Sequence, residues 1–284
     1  VYGRGRAHAG AGTRPDIRII PVHRTAIVTV FRSVVFNIAF YLVLFVYLIV
    51  ALPTLVLPRG ALLWMVKNWS AVNLAMMRMI CGLHCEFRGV EKIPRGAVLV
   101  ASKHQSLWET FALITILKDP AYILKRELMW IPFFGWCAWK AQMIPVDRGA
   151  RSQALNAMTE RARLEIGKGR QIIIFPEGTR RAPGAEPKYK FGVAFLYSEL
   201  GIPCVPVALN SGVFWPRRSF MRYPGIVRVE FLDPIAPGLD RQTFFDRVQQ
   251  EIESKTAELV AMAERKAARG RISARARESG DPAG

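Results

Sequence analysis

Two residues of this 284-residue chain, His104 and Glu109, have types and spacing that suggest catalysis. A carboxylate that accepts a hydrogen bond from one imidazole nitrogen fixes the tautomer and stabilises the imidazolium form, and it leaves the other nitrogen free to take a proton. The pair is therefore a candidate general base. Because five residues on a continuous helix would place the two side chains about 140° apart, the pair needs a turn that folds the imidazole back towards the carboxylate.

The residues around the pair predict such a turn. Val98–Ala101 is a short apolar run typical of a strand that is buried on both faces. Ser106 and Glu109 then form a capping box, in which Ser106 caps a helix and Glu109 reaches back to the Ser106 amide. His104 would lie between the strand and the helix, where side chains meet ligands. The alternative is that Glu109 only caps the helix and that His104 is an incidental loop residue.

A second buried-strand pattern, Gln171–Phe175, runs into the turn residues Pro176–Arg181. The proline ends the strand, the glycine allows the backbone to approach a ligand closely, and the arginines supply planar donors suited to phosphate. In an open α/β sheet, parallel strands end at one edge, where ligands bind. The segment is therefore either an ordinary strand-end turn or one wall of a site that includes His104.

Together, the K-H-Q-S-L-W-E motif at 103–109 and the F-P-E-G-T-R motif at 175–180 resemble the glycerolipid acyltransferase family, and within it the bacterial 1-acyl-sn-glycerol-3-phosphate acyltransferases. Ile144–Arg148 matches the family's middle block with its arginine, and Val205–Val207 matches its late V-P-V strand. The order and spacing of the motifs fit over residues 88–234. The glutamate that ends the first motif is a departure, because the commoner family residue there is aspartate.

The resemblance implies transfer of a fatty acyl group from acyl-CoA or acyl-carrier protein to the sn-2 hydroxyl of 1-acylglycerol 3-phosphate, which gives phosphatidate for phospholipid synthesis. His104 would be the general base and Glu109 its orienting carboxylate, with no cofactor beyond the acyl donor and no metal. The substrate-binding residues that the resemblance implies are Lys125, Arg148, Glu177, Gly178, Thr179 and Arg180.

A cationic pair, Lys125 and Arg126, precedes an apolar and aromatic run, Ile131–Trp136. The cations suit a phosphate, and the aromatic run suits lipid tails or the membrane interface. The alternative is a surface charge pair beside core aromatic residues.

Charge and hydropathy indicate a membrane. The formal net charge of +18 predicts an anionic partner, such as a membrane surface, a phosphorylated substrate or nucleic acid. A basic arm, residues 1–33, precedes the uncharged segment Val34–Leu57, which at about 36 Å would cross a hydrocarbon core of about 30 Å. A second apolar stretch, 61–83, carries Lys67 and Arg78 on nearly the same helical face, and this arrangement suits an interface or a shallow insertion.

A hairpin, or a pair of helices embedded in one leaflet, would return the chain to the cytoplasmic side where acyl donors are found, whereas a single crossing would not. We therefore predict an inner-membrane protein with its catalytic domain on the cytoplasmic side. Its predicted partners are a membrane lipid substrate and a membrane surface, and not nucleic acid, since the sequence has no reader motif. The four scattered cysteines indicate neither a disulfide framework nor a zinc site.

Beyond the membrane segment, strand and helix patterns alternate, which predicts an α/β fold with a mixed, largely parallel sheet flanked by helices. The predicted strands are 97–101, 121–124, 143–146, 171–175, 204–209 and 227–231, and the predicted helices are 106–116, 151–167, 192–200 and 241–269. The predicted organisation is a basic arm at 1–33, a two-helix membrane anchor at 34–84, an acyltransferase domain at 85–268 and a basic, flexible tail at 269–284.

Two other functions remain compatible with the sequence. A related acyltransferase that uses glycerol 3-phosphate or another lysolipid would carry the same motifs. A membrane-anchored scaffold without activity would explain the apolar helices, but it would not explain His104 together with the 175–180 motif.

Overall fold

The structure is a computed structural model that describes residues 23–147 and 151–278, with side chains over 26–147 and 153–269. Its helices are α1 (His23–Val50), α2 (Arg59–Cys81), α3 (Trp108–Ile116), α4 (Phe134–Lys140), α5 (Arg151–Ile166), α6 (Gly192–Leu200), α7 (Ser211–Phe214) and α8 (Arg241–Glu278). Its strands are β1 (Leu83–Arg88), β2 (Val98–Ser102), β3 (Pro120–Lys125), β4 (Ile144–Val146), β5 (Gln171–Ile174), β6 (Cys204–Leu209) and β7 (Gly225–Phe231). Short 3-10 turns follow α1 at Leu52–Leu55, β1 at Val90–Lys92 and β3 at Arg126–Trp130.

The strands form one sheet in the order β1-β7-β6-β2-β5-β3-β4. β6 and β7 pair antiparallel, and the other neighbouring strands pair in parallel. The predicted mixed, largely parallel sheet flanked by helices is therefore confirmed. β6, β2, β5, β3 and β4 run in one direction, so their carboxyl ends meet at the same edge.

Apolar side chains cover both faces of the sheet, which is why its central strands read as near-continuous apolar runs. On one face, β2 packs with α2, α3 and an aromatic cluster that includes Phe36, Phe40, Phe111 and Trp215. On the other face, the alternate residues of the same strands pack with α5, α6 and α8. Phe36 and Phe40 belong to α1, so this helix is joined to the domain through core contacts.

The six predicted strands all exist, with ends within two residues of the predicted ones. The sequence patterns do not predict β1 or α4. β1 is an edge strand that pairs with β7 and carries mixed polar residues, so it lacks the apolar run of a central strand. α4 is seven residues long and contains Gly135, so no helical period stands out.

α1 differs from the membrane segment predicted at 34–57, because it begins at His23 and ends at Val50. Pro53 lies in the 3-10 turn that follows, and it has no amide hydrogen with which to continue the helix. Ala26–Val50 is long and apolar enough to cross a membrane, and α1 is the one helix in the described part of the chain that meets this condition.

α2 packs along the domain through a row of buried residues at helical spacing. Lys67 and Arg78 both belong to the continuous α2, and their spacing of eleven residues places them on nearly the same face, as expected. Lys67, however, is bound to the domain. Its ammonium group donates to the carbonyl oxygens of Leu117, at 2.8 Å, and Lys118, at 3.0 Å, at the end of α3. A cation satisfies the unpaired carbonyls at that end of a helix and is stabilised by the helix dipole. The two-helix membrane anchor at 34–84 stays a prediction.

The sheet begins at Leu83, and α8 continues through Glu278, past the tail boundary predicted at 269. Residues 1–22, which form most of the predicted basic arm, lie outside the described residues, as do residues 279–284 of the predicted tail. The predicted domain boundaries stay predictions.

Candidate active site

The carboxyl ends of three adjacent parallel strands bring the candidate residues together. β2 lies between β5 and β6 and pairs in parallel with both. β2 leads into His104, β5 leads into Phe175, and β6 leads into Ser211. Segments that are about 70 and 100 residues apart in sequence therefore meet at one edge, which is where open α/β sheets bind ligands.

The imidazole of His104 lies against Glu109, as the spacing and the turn predicted. Its Nδ1 is 2.9 Å from the Glu109 Oε1, and the side chain is 14% exposed. The ring stacks on Phe175, with centroids 4.0 Å apart and an angle of 18° between the planes. No residue with a described side chain hydrogen-bonds to Nε2. With the Nδ1 proton donated to Glu109, the neutral ring presents Nε2 as a proton acceptor.

Glu109 is buried and accepts several hydrogen bonds besides the one from His104. Its Oε1 accepts from the backbone amides of Gln105, at 2.6 Å, and Ser106, at 2.7 Å. Its Oε2 accepts from the hydroxyls of Ser106, at 3.1 Å, and Ser211, at 2.7 Å. Burial raises the pKa of Glu109, but the hydrogen bond from His104, the electrostatic attraction of the imidazole and the hydrogen bonds from Ser106 and Ser211 outweigh burial, so this pKa lies below its ordinary value. The carboxylate is held ionised.

Capping and imidazole binding are therefore performed by the same carboxylate. Ser106 Oγ accepts from the Trp108 amide at 2.9 Å at the start of α3, while Glu109 reaches back to the Ser106 amide. The bond from the Ser106 amide to Glu109 is the one predicted for the capping box. Ser106 Oγ, however, accepts from the Trp108 amide and not from the Glu109 amide, and the N-cap residue of α3 is Leu107 and not Ser106. The structural alternative, a glutamate that only caps the helix, does not hold, because Glu109 also contacts His104. The catalytic role of the pair stays a prediction.

Sequence reasoning missed Ser211 and the short helix α7 that begins with it. The Gln105 side-chain carbonyl accepts from the Gly212 amide at 3.0 Å, which fastens this helix to the turn that contains His104. A Cβ on Gly212 would lie 2.9 Å from both Gln105 Cβ and Pro183 Cδ, so a larger residue does not fit there without movement. The available signal was that Ser211 and Gly212 directly follow the V-P-V strand, at the edge where His104 was expected.

Glu177, which was predicted to bind substrate, is buried in a network of protein groups. Its Oε1 accepts from Lys103 Nζ at 2.9 Å, and its Oε2 accepts from the His104 amide at 3.3 Å. Lys103 also donates to Glu253 of α8 at 2.5 Å, and Tyr189 donates to the same Glu253 oxygen at 2.9 Å. Burial raises the pKa of Glu177 above its ordinary value despite the nearby lysine. Its carboxylate therefore supports the loop and the backbone of His104.

The rest of the 175–180 motif leads into Arg181, which contacts the His104 backbone. Gly178 has φ +64°, a left-handed conformation that glycine adopts without strain. The Arg181 amide donates to the His104 carbonyl at 2.8 Å, and Arg217 donates to the Arg180 carbonyl at 2.8 Å. Thr179 is exposed and Arg180 is partly exposed. These contacts fasten the loop beside the imidazole, while leaving side chains accessible to a ligand.

Lys125 and Arg148 are the remaining predicted substrate-binding residues. Lys125 ends β3, which lies two strands from β2 at the same edge, and its exposed ammonium group pairs with Glu127 at 2.7 Å. The neighbouring Arg126 pairs with Asp147 at 3.1 Å. Arg148 lies outside the described residues. The structure therefore places Lys125 on the correct edge, but not in contact with His104.

Comparisons with known proteins support the reading of the motifs. Residues 84–210 match the family model described as Acyltransferase. A 1-acyl-sn-glycerol-3-phosphate acyltransferase of Pseudomonas aeruginosa is 36% identical over 171 residues, which is 60% of this chain and 66% of that protein. A mouse 1-acyl-sn-glycerol-3-phosphate acyltransferase alpha is 29% identical over 177 residues, covering 60% of this chain and 62% of the relative.

The matched region thus spans slightly less than two thirds of each relative. A crystal structure of the 1-acyl-sn-glycerophosphate (LPA) acyltransferase PlsC of Thermotoga maritima shares the fold, with a TM-score of 0.66 and 22% identity over 81% of this chain and 96% of that one. The family model covers His104, Glu109 and the 175–180 motif together. The part of the chain that carries the candidate site, residues 84–210, therefore matches the acyltransferase family.

Proposed function

We propose that this protein transfers a fatty acyl group from acyl-CoA or acyl-carrier protein to the sn-2 hydroxyl of 1-acylglycerol 3-phosphate, giving phosphatidate. The observation that carries the proposal is the His104 imidazole, whose Nδ1 is held by a buried, ionised Glu109 while Nε2 has no described protein partner. The relatives from Pseudomonas aeruginosa and mouse, which bear the name of this activity, support the choice of reaction.

In the proposed reaction, His104 Nε2 removes the proton from the sn-2 hydroxyl as this oxygen attacks the thioester carbonyl of the donor. The tetrahedral intermediate then collapses, the carbon–sulfur bond breaks, and the thiolate takes the proton from the imidazolium. Glu109 stays ionised and stabilises the imidazolium through Nδ1. General-base assistance of this kind contributes about 10²- to 10⁴-fold in rate.

Binding of the acceptor phosphate is assigned to Arg180, Lys125 and Arg148. Arg180 directly precedes Arg181, whose amide donates to the His104 carbonyl, and an arginine fork suits phosphate oxygens. Lys125 ends β3 at the same edge of the sheet, and Arg148 comes two residues after the end of β4 in the sequence. Holding the phosphate would fix the distance between the sn-2 hydroxyl and Nε2, which is a positioning contribution to the rate.

The membrane location is part of the proposal. α1 presents an apolar exposed side, while Phe36 and Phe40 on its other side pack into the domain. A lipid acceptor held in one leaflet would then reach the sheet edge without leaving the membrane. We assign the protein to the inner membrane, with the catalytic domain on the cytoplasmic side.

The test is to give the purified protein, in lipid vesicles, radiolabelled acyl-CoA and a panel of acceptors: 1-acylglycerol 3-phosphate, other lysolipids and glycerol 3-phosphate. Labelled phosphatidate from the first acceptor is the expected product. A product formed only from glycerol 3-phosphate or another lysolipid would replace the proposed acceptor. A parallel assay with acyl-carrier protein identifies the donor, and lack of product with every pair would favour a scaffold.

A further inference from the structure

The segment between β3 and β4 exposes an unusual concentration of large apolar side chains. Trp130 is 75% exposed, Trp139 is 73% exposed and Trp136 is 51% exposed. We use the name aromatic platform for this surface, which consists of Trp130, Ile131, Phe133, Phe134, Trp136 and Trp139. The surface of a soluble protein rarely exposes an apolar patch of this kind unless the patch contacts a partner or a membrane.

The exposure of the rings follows from how α4 packs. The inward positions of α4 are the small residues Gly135 and Ala138, which are buried. A Cβ on Gly135 would lie 2.0 Å from the Met129 carbonyl oxygen, so the backbone of this helix approaches the preceding turn closely. The helix thus places its small residues towards the protein and its tryptophans towards the outside. This is the reverse of the pattern expected for a helix on a water-exposed surface.

The aromatic platform adjoins the apolar side of the N-terminal helices. Cys137 and Ala141, at the end of α4, pack with Ala51, Leu62 and Met65, which lie after α1 and in α2. In the connection between α1 and α2, Val56 is 88% exposed and Leu57 is 47% exposed. The platform and the end of α1 therefore flank the same junction.

Cationic residues border the platform. Lys125 and Arg126 precede it and are exposed, and Lys140 ends α4. Their neighbours Glu127 and Asp147 form exposed ion pairs with the first two, of a kind that contributes little in water and that lipid phosphates are able to replace. Tryptophan together with lysine and arginine is the composition found at the headgroup level of membranes, where anionic lipids attract the cations.

We propose that the aromatic platform is a membrane-contact surface in its own right, separate from α1, whose occupant is the boundary between the headgroups and the acyl chains of a bilayer that contains anionic lipids. This inference rests on the membrane location that is part of the proposed function. Contact at two places would fix the orientation of the domain and would place the carboxyl end of β3, and hence the edge that carries His104, next to the lipid surface.

The experiment uses the full chain in vesicles of phosphatidylcholine and phosphatidylglycerol, with and without bromine on the acyl chains. Brominated chains quench tryptophans that reach the apolar region, and iodide quenches those that face water. The platform contribution is the difference between the wild type and the variant W130F/W136F/W139F, which keeps the apolar rings. Thermal melts show that the variant folds, and single W139F protein provides a second variant if the triple one does not.

We expect brominated chains to quench most of the fluorescence that the three tryptophans contribute, and iodide to quench little of it. Quenching by iodide alone would overturn the proposal, because the platform would then face water. Protection from both quenchers would also overturn it, because a second copy or another part of the protein would cover the surface. No substrate is needed, so this result is independent of whether acyl transfer is observed.

Discussion

Two buried glutamates accept hydrogen bonds at the turn that contains His104, and they are held in opposite ways. Glu109 accepts hydrogen bonds from neutral amides and hydroxyls and from the imidazole, and its pKa lies below the ordinary value. Glu177 is paired with the buried ammonium group of Lys103, yet its pKa is raised by burial. The charge of Glu109 is thus available to the imidazolium, whereas the charge of Glu177 is neutralised within the protein. Glu109 is therefore assigned a part in the chemistry, whereas Glu177 is assigned a part in holding the structure around His104.

The largest effect is expected when the charge of Glu109 is removed. We expect Glu109→Gln to lower kcat by about 10²- to 10⁴-fold, because a neutral amide does not stabilise the imidazolium. Glu109→Asp keeps the charge and should give an intermediate rate. The measurement is acyl transfer at matched folded fraction, and a Gln variant as fast as the wild type would show that Glu109 holds His104 without contributing to catalysis.

The second largest effect is expected when the ion-pair partner of Glu177 is removed. Lys103→Met would leave Glu177 buried without its ion-pair partner, and the loss of one partner of a buried pair typically costs about 3 to 5 kcal/mol. We expect a large fall in the free energy of unfolding, measured by urea titration, with a much smaller change in kcat for the folded fraction. A kcat as low as that of Glu109→Gln in a fully folded variant would remove the distinction between the two glutamates.

A smaller effect is expected at Ser211, which donates to the Glu109 Oε2. Ser211→Ala removes one hydrogen bond to a buried carboxylate, which is worth about 1.5 to 3 kcal/mol in stability. Because one donor fewer holds the charge, the pKa of Glu109 should rise, which an NMR titration of the carboxyl group measures. Ser254→Ala, at an exposed position of α8, is a control. A stability loss without a rise of the Glu109 pKa would limit Ser211 to a structural role.

The smallest effect is a difference in the direction in which the free energy of unfolding changes with pH. The pKa of folded Glu109 is lowered, so its charge contributes stability above the ordinary value of 4.5, and this stability is lost as the pH falls through the folded pKa. The pKa of folded Glu177 is raised, so its contribution is present below 4.5 and is lost as the pH rises through the folded pKa. Urea titrations between pH 3 and 7 should show the stability gap to wild type narrowing at low pH for Glu109→Gln and widening for Glu177→Gln. If the stability gap to wild type changed with pH in the same direction for both variants, the opposite pKa shifts of Glu109 and Glu177 would be contradicted.

The predicted parts of the fold and the site are those whose signals are local. The apolar runs identify β2 and β5 as buried strands. The spacing of Ser106 and Glu109 predicts the start of α3 to within two residues, and it predicts the hydrogen bond that the Ser106 amide donates to Glu109. Because parallel strands end at one edge, the meeting of His104 with the 175–180 motif also follows from the sequence. A contact between residues that are distant in the sequence depends on which elements become neighbours in the fold, and a local pattern does not predict this.

The contacts that were missed join distant parts of the chain. Ser211 reaches Glu109 across 102 residues, and Glu253 reaches Lys103 across 150 residues. A single sequence contains no pattern that pairs a serine after one strand with a glutamate in a helix, since each residue type is ordinary in its own place. The burial of Glu177 was missed for the same reason, because its partner Lys103 precedes the histidine of another motif.

The central claim is that His104 Nε2 accepts the proton of the acceptor alcohol. The most direct measurement is the single-turnover rate of acyl transfer to 1-acylglycerol 3-phosphate by wild type and His104→Ala in identical vesicles, with melts to confirm that both are folded. We predict a rate for His104→Ala that is lower by about 10²- to 10⁴-fold. A folded His104→Ala protein that transfers the acyl group at the wild-type rate would contradict the account.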